Sequence, residues 1–160
     1  MSSGDSPKPK ILIADDEPSI RELLEQVLIA DGFEVVLATD GKDALQQILA
    51  CNPDVILLDI RMPKLDGVTL CKALRVYKET EHTPIIMLTA YNTREHLEQS
   101  MAAGADDFLA KPFEVTELRI RVRAMLKLKH VTNELERLQQ YIQSIQQLRE
   151  KTDAPLPDRS

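Results

Sequence analysis

The stretch Val55-Ile56-Leu57-Leu58-Asp59 decides how this chain folds. Four aliphatic residues in a row, two of them β-branched, read as a strand covered on both faces of a sheet. The strand ends in an acid. The following Ile60-Arg61-Met62-Pro63-Lys64-Leu65-Asp66-Gly67 reads as a loop, because Pro63 and the Asp66-Gly67 pair break regular structure. An acid at the carboxyl end of a central parallel strand stands where open α/β sheets receive their ligands. An aspartate also simply begins loops, so the meaning of Asp59 depends on what other strands deliver to the same edge.

Working outward, Lys10-Ile11-Leu12-Ile13-Ala14 is a first strand that runs into Asp15-Asp16-Glu17-Pro18, and proline and acids suit the first turn of a helix. Ile20, Leu23, Leu24, Val27 and Leu28 mark that helix, and Asp31-Gly32 closes it with a glycine suited to a left-handed cap. Residues 34–38 are the second strand. Ala44, Leu45, Ile48 and Leu49 mark the second helix, stopped at Asn52-Pro53. Val68, Leu70, Cys71 and Leu74 make the third helix, and residues 84–88 the fourth strand, closing at Thr89-Ala90. Leu97, Met101 and Ala102 support a fourth helix up to Gly104. Residues 107–110 form a short fifth strand running into Lys111-Pro112-Phe113, and a fifth helix starts near Val115. Five alternations with short connections predict an α/β fold, a doubly wound parallel sheet of five strands with helices on both faces.

The chain has 160 residues, 43% hydrophobic and 29% charged, which is enough to bury a sizeable core. With three Phe, three Tyr and no Trp, that core is aliphatic. No apolar run approaches the roughly 20 residues of a membrane span, and residues 1–5 carry no signal-peptide core. A cytoplasmic protein with no membrane partner is expected. Cys51 and Cys71 are far apart and form no paired motif, so both are expected to be inert reduced thiols. The net charge of -6 is unevenly spread: residues 114–151 hold eight Lys and Arg against five Glu, a net of +3, which leaves -9 elsewhere. An acidic body with a mildly basic tail argues against non-specific nucleic-acid binding.

Right-handed crossovers bring every strand's carboxyl end to one edge. That edge therefore receives Asp15 and Asp16, Asp59, Thr89 and Lys111 from four different strands. Three carboxylates held close together repel one another, and such a cluster calls for a cation. Oxygen donors with no His or Cys select a hard ion, Mg²⁺ before Zn²⁺. A lysine and a hydroxyl beside such an ion suit the equatorial oxygens of a phosphoryl group. Asp59 is placed to be a metal ligand or the nucleophile that takes the phosphate.

In this order, each at a strand end, Asp15-Asp16, Asp59 with Met62-Pro63 and Asp66-Gly67, Thr89-Ala90, and Lys111-Pro112-Phe113 resemble the receiver domain of two-component response regulators. The resemblance covers roughly residues 8–127. It implies strand order 2-1-3-4-5 and a phosphoryl group passed to Asp59 from a histidine kinase or phosphotransfer protein. It also implies Mg²⁺ on Asp16, Asp59 and the main-chain carbonyl of Arg61, with Asp15 acting through a water. Lys111 would pair with the acyl phosphate, Thr89 would close onto it, and Phe108 would be the aromatic switch, without the hydroxyl of the more frequent tyrosine. The Lys111-Pro112 bond is expected to be cis. Arg61 and Tyr91 occupy the positions at which the family tunes phosphoryl lifetime, and their bulk predicts a lifetime longer than minutes. The protein would catalyse only its own phosphorylation and dephosphorylation.

Beyond helix five, Leu128, Val131, Leu135, Leu138, Ile142 and Ile145 recur at 3, 4, 3, 4, 3, the spacing of a heptad seam. This predicts that the last helix runs on without a break into a coiled-coil stalk pairing two chains in parallel, to which phosphorylation at Asp59 would be relayed through the face of helix four, strand five and helix five. The expected division is a flexible tail 1–9, a receiver 10–127, the helical extension 128–151 and a second tail 152–160. The bland alternative has residues 128–148 folding back on their own domain. His130 lacks the acid and proline of a kinase phosphohistidine motif and is expected to be a surface histidine. Two other functions compete with this reading. An aspartate-nucleophile phosphohydrolase would resemble Asp-x-Asp, but Asp59-Ile60-Arg61 lacks the second acid. A DNA-binding regulator needs a recognition helix, and one long helix after the fifth strand supplies none, so no nucleic-acid contact is expected from this chain alone. The output domain or partner is not legible in the sequence.

Overall fold

A computed structural model describes residues 7–90, 94–128, 131 and 133–152. The elements in chain order are β1 (Lys10–Ala14), α1 (Pro18–Ala30), β2 (Glu34–Ala38), α2 (Gly41–Cys51), β3 (Val55–Asp59), α3 (Gly67–Val76), β4 (Ile85–Thr89), α4 (Arg94–Ala102), β5 (Asp107–Ala110), α5 (Val115–Leu126) and α6 (Glu134–Thr152). The strands form one parallel sheet in the order β2-β1-β3-β4-β5. All residues of β3 and β4 are buried, because helices cover both faces of the central strands. Alternation sorts their side chains. Leu12, Ile56, Leu58, Ile85 and Met87 join a core with Ile48, Leu70 and Leu74, while Ile11, Ile13, Val55, Leu57, Ile86 and Leu88 join one with Leu24, Leu28, Leu118 and Val122.

Two aspartates start helices beside the functional edge. Asp40 accepts a hydrogen bond from the Asp43 N–H (2.8 Å), and Asp66 accepts one from the Thr69 N–H (2.8 Å). Two glycines let loops close against this edge. A Cβ on Gly41 would lie 1.8 Å from the Leu65 carbonyl oxygen, and one on Gly67 would lie 2.2 Å from that of Asp59. Both cysteines are free, Cys71 buried and Cys51 partly so, and burial raises the Cys71 thiol to about 11.

The C-terminal region corrects the expectation of one continuous helix. α5 stops at Leu126, and α6 begins again at Glu134 and packs against α5. Asn133 caps the new start, its side chain accepting from the Glu136 N–H at 3.0 Å. Folding back offers α6 more partners than a projecting stalk would: Arg137 and Ser144 become buried and Tyr141 packs on the core. Leu128, expected in the seam, is buried in that core at the end of α5. The remaining seam still faces outward, with Leu135, Leu138 and Ile142 exposed by 64%, 57% and 48%, and Val131 and Ile145 partly buried. The packed face and the heptad face are thus two sides of one helix. No helix among the described residues is long and apolar enough to cross a membrane.

Candidate functional site

The carboxyl ends of β1, β3, β4 and β5 bring Asp15, Asp16, Asp59, Thr89 and Lys111 together. One oxygen from each of Asp15, Asp16 and Asp59 lies within 4.8 Å of the others. Asp15 is fully buried, Asp59 is 5% exposed and Asp16 is exposed. Lys111 Nζ is 2.6 Å from Asp15 Oδ2, 3.3 Å from Glu17 Oε1 and 3.5 Å from Asp59 Oδ2. Asp15 Oδ1 accepts from the Glu17 N–H (2.9 Å), while Asp59 Oδ1 accepts from the Arg61 N–H (3.2 Å). A pocket of about 230 Å³ opens here, lined by Asp16, Asp59, Arg61, Thr89, Ala90 and Lys111 among others.

Backbone bonds beyond the strand ends fix this edge. The Ile60 N–H donates to the Leu88 carbonyl (3.0 Å), the Lys111 N–H to that of Thr89 (2.7 Å), and the Gly67 N–H to that of Ile60 (2.8 Å). The Lys111-Pro112 peptide is cis, as expected. Phe108 is half-buried against the core on the α3 side of the sheet. Tyr91 and His130 lie outside the described residues.

The electrostatics follow from the crowding. Burial first, then the neighbouring Asp15 charge, push the Asp59 carboxyl up to about 7, with Asp16 adding to the rise and Lys111 and the Arg61 N–H opposing it. Burial works against the charge on Lys111, but Asp15, Asp59 and Glu17 outweigh it and raise its pKa. Charge and concavity coincide here, where a cation or an electrophile would relieve the repulsion.

Two contributors were missed by the sequence reading. Glu17 shares Lys111 with the aspartates, and Arg21 on the first turns of α1 donates through Nη1 to the Asp15 main-chain carbonyl (2.7 Å), holding the strand end. Only their nearness in sequence to the Asp15-Asp16 pair hinted at this. A larger groove, about 510 Å³, lies at the opposite edge of the sheet between α6 and the segment from Met101 to Asp106. Its Arg75 and Arg137 are paired with Asp106 and with main-chain carbonyls, and no second cluster of metal-ligating groups occurs among the described residues.

Residues 11–123 match the family model described as the response regulator receiver domain. The chain is 42% identical over 119 residues to the DNA-binding dual master transcriptional regulator RpaA of Synechocystis, covering 74% of this chain and 49% of that protein. It spans about half the length of the curated relatives it matches. Among solved structures, the Francisella response regulator 1452 receiver domain shares 41% identity at a TM-score of 0.70, covering 75% of this chain and 98% of that one. The receiver domain of the Pseudomonas aeruginosa sensor histidine kinase PA1611, with a magnesium ion in its active-site cleft, shares 33% identity at a TM-score of 0.69, covering 76% and 98%.

Proposed function

The chain belongs to the response regulator receiver family of two-component signalling, and from that premise we propose that Asp59 is its phosphoacceptor. Partners of the family's kind, a histidine kinase or a phosphotransfer protein, would supply the phosphoryl group. A carboxylate oxygen of Asp59 attacks the phosphorus of the donor's phosphohistidine. The P–O bond forms as the P–N bond breaks, and the imidazole leaves with the bonding electron pair and takes up a proton. Lys111 moves its charge from the carboxylates to the phosphoryl oxygens, and the Thr89 hydroxyl contributes a hydrogen bond to them. The observation that carries this reading is the place of Asp59. It sits at the end of the central strand, in a pocket, with Lys111 Nζ at 3.5 Å and two more carboxylates beside it.

The donor set fits a hard divalent cation, since three close carboxylates with a raised Asp59 pKa lack positive charge. Asp16, Asp59 and the Arg61 main-chain carbonyl would hold Mg²⁺, with Asp15 acting through a water. When bound, the ion neutralises carboxylate charge and polarises the incoming phosphoryl oxygens. Thr89 and Phe108 are proposed as the switch pair, and Arg61 and Tyr91 as residues that lengthen the phosphoryl lifetime. Incubation with Mg²⁺ and acetyl phosphate tests the acceptor: wild type should gain one hydroxylamine-labile phosphoryl group, and Asp59→Asn none.

Self-association forms part of the same reading, transferred from a continuous stalk to the outward seam of α6. The spacing of Leu135, Leu138, Ile142 and Ile145 supports a homodimer, which Ile142→Lys should render monomeric in sedimentation. Relatives named as transcriptional regulators extend well beyond the matched part, so control of transcription is a proposed output only, reached through a partner protein or an attached domain.

A further inference from the structure

α6 turns Arg137 and Tyr141 inward to Asp106 and Asp107, while Leu135, Leu138 and Ile142 line its outward side and stay exposed. Large apolar residues repeated along one exposed helix face mark a surface that another element covers. That surface continues onto α4, because Leu138 shares its groove with the exposed Met101. Charge along the helix is uneven. Glu134 and Glu136 stand in the first turn, Arg149 and Lys151 in the last. Residues 138–148 between them hold no charged side chain. With Arg137 neutralised by Asp106 and Glu150 counted, the start carries -2 and the end +1. Neighbouring surfaces repeat the difference, since Glu81 lines the groove at Leu138 and Arg123 of α5 the one at Leu148. Contacts also fix the direction of the helix. Arg137, near its start, holds Asp106 at the amino end of β5, and Arg149, near its end, reaches Glu117 in the first turn of α5 (2.6 Å), on the side of the functional edge.

We propose that this face is covered by α6 of a second copy of the chain, running in the opposite direction. The orientation rests on the reading that the seam of α6 makes a homodimer. A two-fold axis across the helix makes the apolar stripe self-complementary. Matching a to d positions sets Leu135 against Ile145 of the second copy and Leu138 against its Ile142, about an axis at the level of Gln140. Arg149 then stands about 5 Å along the axis from the level of the second copy's Glu134. Each acidic start thus meets a basic end, and each helix dipole lies against an opposed one. Parallel pairing would set Glu134 and Glu136 against their own copies, Arg149 and Lys151 against theirs, and the dipoles side by side in the same sense. Every one of those terms is repulsive, and the uncharged glutamines between the ends offset none of them. Because α6 runs from the amino edge of the sheet toward the functional edge, antiparallel pairing sends the two functional edges to opposite ends of the dimer.

The test is sedimentation velocity of the full chain over a concentration series at low ionic strength, with circular dichroism confirming the helix content of each variant. Glu134→Lys combined with Glu136→Lys makes both ends of α6 basic, and Lys151→Glu alone makes both ends acidic. Each should raise the dimer dissociation constant on the order of tenfold, as two symmetry-related contacts turn from attraction to repulsion. All three substitutions together exchange the charges of the two ends and should restore association to near the wild-type level. In a parallel dimer the same changes replace like charges by like charges, so none would move the constant. A weakened helix would make the losses add in the triple variant, whereas antiparallel pairing makes them cancel. Unchanged association in all three, beside a monomeric Ile142→Lys, overturns the orientation and leaves the homodimer standing. A triple variant as weak as the other two overturns the orientation as well. A wild type that stays monomeric, or an Ile142→Lys protein that still pairs, overturns both.

Discussion

At the start of β5, Asp106 lies between two arginines, and Asp107 takes a guanidinium and a phenol hydroxyl. At its carboxyl end, Lys111 is shared among Asp15, Glu17 and Asp59, with Asp16 close by. Burial and neighbouring negative charge raise the Asp59 pKa to about 7, while Tyr141 is raised chiefly by burial. Matched charges knit α6 and α3 to the sheet. Unmatched negative charge crowds the carboxyl edge, where Asp15, Asp16 and Asp59 lie together. The same strand therefore carries a structural joint at one end and leads into the candidate site at the other.

Substitutions at the two ends should behave differently. The largest loss is expected from Lys111→Met, which strands buried Asp15 and should cost about 4 kcal/mol in urea unfolding. Gly67→Ala drives a Cβ to 2.2 Å from the Asp59 carbonyl and should cost about 3 kcal/mol by the same measurement. Asp59→Asn should do the opposite and stabilise the metal-free protein by about 2 kcal/mol at pH 8. Its sign follows from the raised pKa. Folded Asp59 keeps its proton to higher pH than the unfolded chain does, so stability falls as pH rises from about 4 to about 7. The substituted protein should lose that component of the slope, and Mg²⁺ should narrow the gap between the two proteins. Arg149→Gln should be smallest, under about 0.5 kcal/mol, since its partner Glu117 lies near the surface and solvent screens the pair.

Much of the convergence at the carboxyl edge was legible in the sequence because strands that end in Asp, Thr or Lys deliver those groups to one edge by topology alone. β1, β2, β3 and β5 fall on the expected residues, and β4 begins one residue later, at Ile85 rather than Pro84. The structural end was not legible. Spacing of 3 and 4 between apolar residues marks any amphipathic helix, whether its apolar face meets a second chain or solvent. What turned α6 back was its other face, above all Arg137 and Tyr141, whose partners Asp106 and Asp107 lie more than thirty residues upstream. A local signal existed in Asn133 with Glu134 and Glu136, a cap followed by an acidic first turn, and the heptad spacing obscured it. Glu17 and Arg21 escaped for a related reason, because their roles depend on distances that spacing does not encode.

The most direct measurement is where a phosphoryl group lands. The full chain is incubated with Mg²⁺ and acetyl phosphate, the acyl phosphate is trapped by reduction, and the modified peptide is mapped by mass spectrometry. A single modification at Asp59, lost when Mg²⁺ is chelated, is the expected result. Modification at another residue, or none under conditions that label a related receiver, would contradict the assignment of Asp59 as the phosphoacceptor.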